Sequence, residues 1–182
     1  MKKELPIQGL SDRHVGVTAA LGAVYEEAAR VCLDRHHSSP QEFSVTDNET
    51  GSTVDVNWTA CDLRTRNAWA NTDDTTEAGA YCMALASAEV TRGLVAVGRA
   101  QKLSGVDYLL GAPGSQIDDL ETVMRLEVSG THEGGASVIR SRLRQKLDQA
   151  NRFETNPPAL ATVVGFSARR IECSDIKFDE LG

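Results

Sequence analysis

The stretch that decides the fold is Val-Met-Arg-Leu-Glu-Val-Ser-Gly at residues 123–130. Its apolar residues predict a short buried β-strand that carries Glu127. A second apolar run, residues 105–110, predicts another strand and carries Asp107. Burying a carboxylate costs free energy unless the group is paired, protonated or bound to a metal ion. Two carboxylates on consecutive strands therefore predict a divalent-metal site.

The segments around these two strands predict an ordered series of elements. A helix is expected from about residue 73 to Thr91, because capping side chains and acids precede a run of small apolar residues. The remaining predicted elements are a strand at 94–98, a loop at 111–120, a helix at 136–151, a strand at 159–166 and a short last strand near Ile171.

The N-terminal part of the chain predicts a helix and a hairpin. Apolar residues recur at steps of three and four over residues 16–36, which is typical of a helix with one packing face. Residues 42–47 and 52–58 alternate apolar and polar side chains around a turn-forming cluster, which predicts a β-hairpin.

Together these elements predict an α/β fold, with a central mixed β-sheet flanked by helices. The expected organisation is an N-terminal extension over 1–72 packed on a core over 73–176, followed by a tail at 177–182.

Composition limits the classes of function. The net charge of −7 argues against a protein that coats nucleic acid through charge alone, since phosphate contacts need Lys and Arg. Residues 140–146 nevertheless concentrate four cations in seven positions, which indicates either a solvated helix face or a phosphate-contacting surface. No apolar run approaches the ~20 residues of a membrane span, and no signal core is seen, so we expect a cytoplasmic protein with no membrane partner.

Other kinds of site find little support in the sequence. The four cysteines lack the paired spacing of a zinc site and are expected to be buried thiols. The chain contains neither a Gly-x-Ser-x-Gly nucleophile turn nor a phosphate-binding Gly-rich loop followed by Lys and Ser or Thr.

The series helix, strand, strand with Asp107, strand with Glu127, helix, strand resembles the PD-(D/E)xK nuclease superfamily. This resemblance implies a restriction-endonuclease-like core in which Asp107 and Glu127 hold Mg²⁺ or Mn²⁺. It also implies that Glu77, on the leading helix, is an accessory acid and metal ligand, with the backbone oxygen of Val128 as a further ligand. Residues 105–108 and 125–130 are also similar to a group of uncharacterised bacterial proteins.

One position departs from the family pattern. The family places a Lys two residues beyond the acid of the third strand, where this chain has Ser129. Three interpretations remain open: a cation reaches the site from elsewhere, with Lys146 and Lys102 as candidates; Ser129 itself acts on the attacking water; or catalysis has been lost while the fold has been kept.

Each candidate residue also has a purely structural interpretation. Asp107 would pair with Arg125 or cap the sheet, and Glu127 would form an ion pair with Arg125 or Lys146. Glu77 would be an ordinary acid in the first turn of a helix.

The histidines have two interpretations as well. His36 and His37 suit a helix end, where the helix dipole favours partial cations. His132 follows the Glu127 strand directly, so it is either a loop residue or a group that acts on a leaving group or contacts phosphate.

Three functions are therefore expected in competition. The first, implied by the resemblance, is a metal-dependent nuclease that hydrolyses phosphodiester bonds, acting on DNA in bacterial defence against phage or in repair. The second is a non-catalytic nuclease-fold module that binds a protein or nucleic-acid partner through the N-terminal helix and hairpin, near Tyr25 or Trp58. The third is a structural domain of an unrelated α/β fold that binds a small molecule or a metal, with a pocket away from Asp107 and Glu127. A homodimer is among the assemblies left open.

Overall fold

Thirteen helices and strands make up the described part of the protein. The computed structural model describes residues 3–100, 106–117, 123–151 and 158–176. The strands are β1 (Lys3–Glu4), β2 (Gln41–Asp47), β3 (Thr50–Val56), β4 (Val95–Arg99), β5 (Tyr108–Gly111), β6 (Met124–Thr131), β7 (Ala159–Gly165) and β8 (Arg170–Ile176). The helices are α1 (Leu10–Arg13), α2 (Ala19–Asp34), α3 (Leu63–Ala68), α4 (Thr72–Arg92) and α5 (Ala136–Asn151).

All eight strands belong to one mixed sheet in the order β1-β3-β2-β8-β7-β6-β5-β4. The pairs β1/β3, β2/β8 and β6/β7 are parallel, and the other neighbours are antiparallel. The predicted α/β class, with a central mixed sheet flanked by helices, is confirmed. The hairpin β2–β3 joins this sheet through β8, while the division of the chain at residues 72 and 73 remains a prediction.

Helices α2 and α4 cover one face of the sheet, and α5 covers the other. Leu160 and Val164 of β7 belong to a large core that also contains buried residues of α2 and α4. Ala159 and Ala161 alternate with them along the strand and pack against Leu143 of α5 on the other face. Strand β6, which carries Glu127 and pairs with β7, therefore belongs to a part of the sheet that lies between α4 and α5.

The sequence explains why α4 lies so close to β6. The helix begins where the Asn71 side chain accepts hydrogen bonds from two backbone N–H groups, and it ends at Gly93 in the left-handed conformation with φ 66°. At Gly130 of β6, a Cβ atom would come within 2.7 Å of the Thr76 backbone oxygen and 2.9 Å of the Ala80 Cβ. Only glycine allows α4 and β6 to approach this closely.

Most predicted elements occur near their expected bounds, and the helix at 136–151 coincides with α5. Asp107 was wrongly placed inside a strand, because β5 begins at Tyr108 and Asp107 occupies the bend before it. The last strand is longer than predicted, since β8 extends to Ile176 and pairs along β7. The tail at 177–182 and Lys102 lie outside the described residues.

Three short elements were not predicted from the sequence, namely β1, α1 and α3. Among the described residues, no helix has both the length and the apolar character needed to cross a bilayer.

Candidate functional site

A cleft of about 730 Å³ opens beside the part of β6 that no longer pairs with β5. Strand β5 pairs with Met124, Arg125 and Leu126 of β6. The rest of β6 continues alongside β7 as far as Thr131. The cleft forms in the space beyond the start of β5. Its lining comes from α4 (Thr72, Asp73, Thr76, Glu77, Ala80, Tyr81), from the β5 entry and β6 region (Asp107, Glu127, Val128, Ser129, Gly130, Thr131, His132, Glu133) and from α5 (Arg142, Lys146).

Asp107 closes one end of this cleft and is half-buried. Its backbone N–H donates to the Leu126 oxygen at 2.8 Å, which continues the β5–β6 ladder by one bond. The side chain then turns towards β6, where Oδ2 accepts the Val128 N–H at 2.8 Å. Its other oxygen, Oδ1, accepts the Tyr81 hydroxyl at 2.8 Å. Asp107 thus satisfies a backbone donor of β6 that lies beyond the reach of β5.

Glu127 is more deeply buried, with 5% of its surface exposed. The ammonium group of Lys146, on the fourth turn of α5, donates a hydrogen bond to its Oε1. Burial raises the pKa of Glu127, the Lys146 hydrogen bond opposes that shift, and the negative charge of Asp107 adds to it. The two carboxylates are therefore close enough to interact electrostatically.

A cluster of aromatic hydroxyl groups and one arginine lies behind Asp107. The Arg99 guanidinium stands over the rings of Tyr81 and Tyr108, at 4.7 Å and 4.9 Å from the ring centroids. It donates to the Tyr25 hydroxyl at 2.6 Å and to the Tyr81 hydroxyl at 3.4 Å. The Tyr25 and Tyr108 hydroxyls share a hydrogen bond of 2.7 Å.

Glu77 lies across the cleft from β6, on the exposed face of α4. Its Oε1 accepts a long hydrogen bond of 3.4 Å from the Tyr81 hydroxyl. The structure therefore places Glu77 in the same cleft as Asp107 and Glu127, one helical turn before Tyr81.

The remaining predicted site residues occupy different positions. Ser129 lines the cleft two residues beyond Glu127 and is half-buried. Lys146 extends from α5 and contacts the Glu127 carboxylate. Arg142 reaches the cleft from α5 and donates to the Gly130 oxygen at 3.2 Å, and the side chains of Arg140 and Arg144 are exposed.

The histidines connect the cleft to the end of α2. His132 lines the cleft, and its Nδ1 lies 3.1 Å from Nε2 of His36. The rings of these two residues are 4.4 Å apart, so they are in contact. His37 instead pairs through Nε2 with the Phe166 oxygen at 2.9 Å. His36 and His37 therefore link two parts of the chain, in addition to following α2.

The donor set fits a hard divalent cation with two protein carboxylates. Mg²⁺ prefers oxygen ligands and commonly takes one or two carboxylates together with water and substrate phosphate. Asp107 and Glu127 offer carboxylate oxygens in one cleft, and a carboxylate oxygen that accepts one hydrogen bond has a second lone pair. In the ranges that the structure describes, no three His, Cys, Asp or Glu side chains are grouped as metal ligands. The role of Glu77 as a ligand remains a prediction.

Comparisons of the chain with family models, with curated proteins and with solved structures found no match.

Two residues of this site were missed in the sequence, Tyr81 and Arg99. Tyr81 could have been found, because residues four apart on a helix share a face and Tyr81 follows Glu77 at that spacing. Arg99 had no such signal. It is the last residue of β4, and only the antiparallel pairing of β4 with β5 brings it opposite Tyr108.

Proposed function

We propose that the protein is a metal-dependent, nuclease-like hydrolase that cleaves phosphodiester bonds of DNA. The observation that carries this proposal is the meeting of Asp107, Glu127 and Lys146 in one cleft. These residues come from the entry of β5, from β6 and from α5. Two carboxylates and one lysine are the groups that the PD-(D/E)xK resemblance requires, with the lysine supplied by a helix.

The charge of the cleft supports a metal-dependent reaction. Its lining includes five carboxylate residues, Asp73, Glu77, Asp107, Glu127 and Glu133, but only two lysine or arginine residues, Arg142 and Lys146. Such a surface repels a phosphodiester unless a cation offsets the acids. When bound by Asp107 and Glu127, a divalent cation supplies a Lewis acid that neutralises charge on the phosphate and makes water a better nucleophile.

The other residues of the cleft have distinct expected roles. Lys146 holds a protonated amine beside Glu127, where it would orient the attacking water. Arg142 and the exposed Arg140 and Arg144 would contact neighbouring phosphates, which positions a nucleic acid without reading its sequence. Ser129 would hydrogen-bond water at the same end of β6.

The direct test is cleavage of plasmid and linear DNA by the purified chain in Mn²⁺ or Mg²⁺, with EDTA as the blank. We expect cleavage that Glu127→Gln and Asp107→Asn each reduce at least ~100-fold, as expected for loss of an essential group. Glu133→Gln is the matched control, because it removes an exposed acid from the same cleft. The proposal fails if neither DNA nor RNA is cut in either metal.

A second candidate, a non-catalytic module that binds a nucleic acid or a protein, is favoured by one observation. Lys146 already pairs with the buried Glu127, and this ion pair joins β6 to α5 as a structural contact would. In that case the protein would bind its partner in EDTA as well as in Mn²⁺. Asp107→Asn would leave the affinity unchanged, as fluorescence anisotropy with labelled DNA would reveal for a nucleic-acid partner.

The assignment to bacterial phage defence or repair follows from the resemblance and is part of the same proposal. A homodimer and a cytoplasmic location likewise remain predictions, which size-exclusion chromatography with light scattering and cell fractionation would test.

A further inference from the structure

The hydroxyl of Tyr81 has an unusual set of neighbours for a residue that is 7% exposed. It lies 2.8 Å from Asp107 Oδ1 and 3.4 Å from Glu77 Oε1, and it receives a hydrogen bond of 3.4 Å from Arg99. A phenol has one proton to donate, so it cannot serve both carboxylates fully. The shorter distance assigns that proton to Asp107.

Arg99 fixes this direction. A guanidinium group can only donate, so the Tyr81 oxygen accepts from Arg99 and its own proton points away towards a carboxylate. The stacking of Arg99 on two tyrosine rings holds this cation behind the hydroxyl.

The backbone completes the arrangement on the other side of the carboxylate. Val128 N–H donates to Oδ2, so each oxygen of Asp107 receives one donor from a different element. These two hydrogen bonds restrain the carboxylate at both of its oxygens. A carboxylate oxygen has a second lone pair, which can accept a further ligand.

We propose that Tyr81 is a positioning residue, which with Arg99 behind it orients the Asp107 carboxylate for binding a divalent cation. This inference rests on the proposed function, because it assigns Asp107 to the same metal. Outer-sphere partners of this kind typically change metal affinity 10–100-fold when removed.

The test compares Tyr81→Phe with Tyr25→Phe. Each variant removes one hydroxyl from the same aromatic cluster, but only Tyr81 donates to Asp107. Mn²⁺ affinity is measured by isothermal titration on the full chain, with the melting temperature of each variant as a check on folding. We expect Tyr81→Phe to bind Mn²⁺ about 10-fold more weakly or worse. Tyr25→Phe removes an acceptor from Arg99 but keeps the Tyr81 hydrogen bond to Asp107, so we expect it to lose clearly less affinity.

A second measurement does not depend on metal. The Val128 amide reports on Asp107 through its hydrogen bond, so its NMR chemical shift and its hydrogen-exchange rate follow the carboxylate. We expect Tyr81→Phe to move both quantities in the metal-free protein, while Tyr25→Phe leaves them close to the wild type.

The outcomes separate the two proposals. Equal Mn²⁺ affinity in Tyr81→Phe and the wild type, with an unchanged Val128 amide, overturns the positioning role and leaves the hydrolase proposal standing. A wild-type chain that binds no Mn²⁺ and cuts no nucleic acid overturns both. Equal losses of affinity in the two variants would show a general effect of the cluster and would contradict a specific role for Tyr81.

Discussion

The carboxylates of Asp107 and Glu127 in the cleft are held by different kinds of donor. Asp107 with its donors Tyr81 and Val128 is called the Asp107 wall, and Glu127 with Lys146 is called the Glu127 wall. Asp107 is half-buried and is held by neutral donors, the Tyr81 hydroxyl and the Val128 amide. Glu127 is 5% exposed and is held by the cationic Lys146. The Tyr81 and Val128 donors to Asp107 are neutral, with the Arg99 cation one hydrogen bond further away, whereas the Lys146 ammonium group contacts Glu127 directly. Under the proposed function, Asp107 would bind the cation and Lys146, paired with Glu127, would act beside it.

The largest expected effect tests the wall with the ion pair. Lys146→Met keeps the length of the side chain but leaves Glu127 buried without its cation, which should lower the free energy of unfolding by about 2–3 kcal/mol. Adding Glu127→Gln should restore much of this loss, because a neutral amide no longer needs the ammonium group. Urea unfolding of the two single variants and the double variant measures the coupling. Additive losses would mean that the pair contributes nothing and that the contrast between the walls is wrong.

The next effect tests the close contact between α4 and β6 at Gly130. Gly130→Ala places a methyl group against the Thr76 backbone oxygen and should cost about 1–2 kcal/mol by overpacking. Gly51→Ala is the control, since a Cβ there meets nothing within 4 Å. Thermal unfolding of both variants gives the comparison. A neutral Gly130→Ala would mean that α4 and β6 are free to separate.

Acidification should loosen residues 129–133, at the end of β6, before it loosens β5. His36 contacts His132 at the end of β6, and its surroundings include His37, Arg35 and Glu133. The pKa of His36 is lowered, first by burial and then by its neighbouring histidines, with Glu133 opposing the shift. The unfolded chain therefore takes up this proton at a higher pH than the folded chain. Stability from this site is present above about pH 6.5 and is lost as the pH falls through the folded pKa, by at most ~1.4 kcal/mol per pH unit.

Hydrogen exchange between pH 7.5 and pH 5 locates this effect. We expect amides of residues 129–133 to lose protection in acid ahead of those of β5. His36→Gln should flatten the dependence, while His37→Gln, whose partner is the Phe166 oxygen, should alter it less. Equal loss of protection in residues 129–133 and in β5 would contradict the role assigned to His36.

The smallest expected effect concerns the two neutral donors to Asp107, the Tyr81 hydroxyl and the Val128 amide. Asp107→Asn retains an oxygen for one donor but loses the other acceptor, which should cost about 0.5–1.5 kcal/mol of unfolding free energy. The change is smaller than for Lys146→Met, because no buried charge is left unpaired. Urea unfolding of Asp107→Asn beside Lys146→Met orders the two, and a larger loss for Asp107→Asn would reverse the comparison.

Features of the fold and the site that depend on local sequence pattern were predictable from the sequence. Apolar periodicity placed Glu127 in a buried strand and Lys146 on the following helix, and the order of elements from α4 to β7 is the predicted one. Asp107 was misplaced because the apolar run continues across the bend before β5. A run of apolar residues does not show where strand pairing starts.

The rest depended on contacts between distant residues. Arg99 meets Tyr25 and Tyr81 only after β4, α2 and α4 have assembled, so no local spacing predicts the cluster. The pairing of His36 with His132 spans 96 residues and depends on where α2 ends relative to β6. The choice of Lys146 over Lys102 was also open in the sequence. The structure places Lys146 beside Glu127, whereas Lys102 lies outside the described residues.

Under the proposed function, Asp107 and Glu127 share one cation. Isothermal titration of Mn²⁺ into the wild type, Asp107→Asn, Glu127→Gln and the double variant measures this sharing. We expect one bound ion in the wild type, at least ~10-fold weaker binding in each single variant and little further loss in the double variant, since neighbours that act on one ligand are not additive. Binding that is absent in the wild type, or that survives unchanged in both single variants, would contradict it.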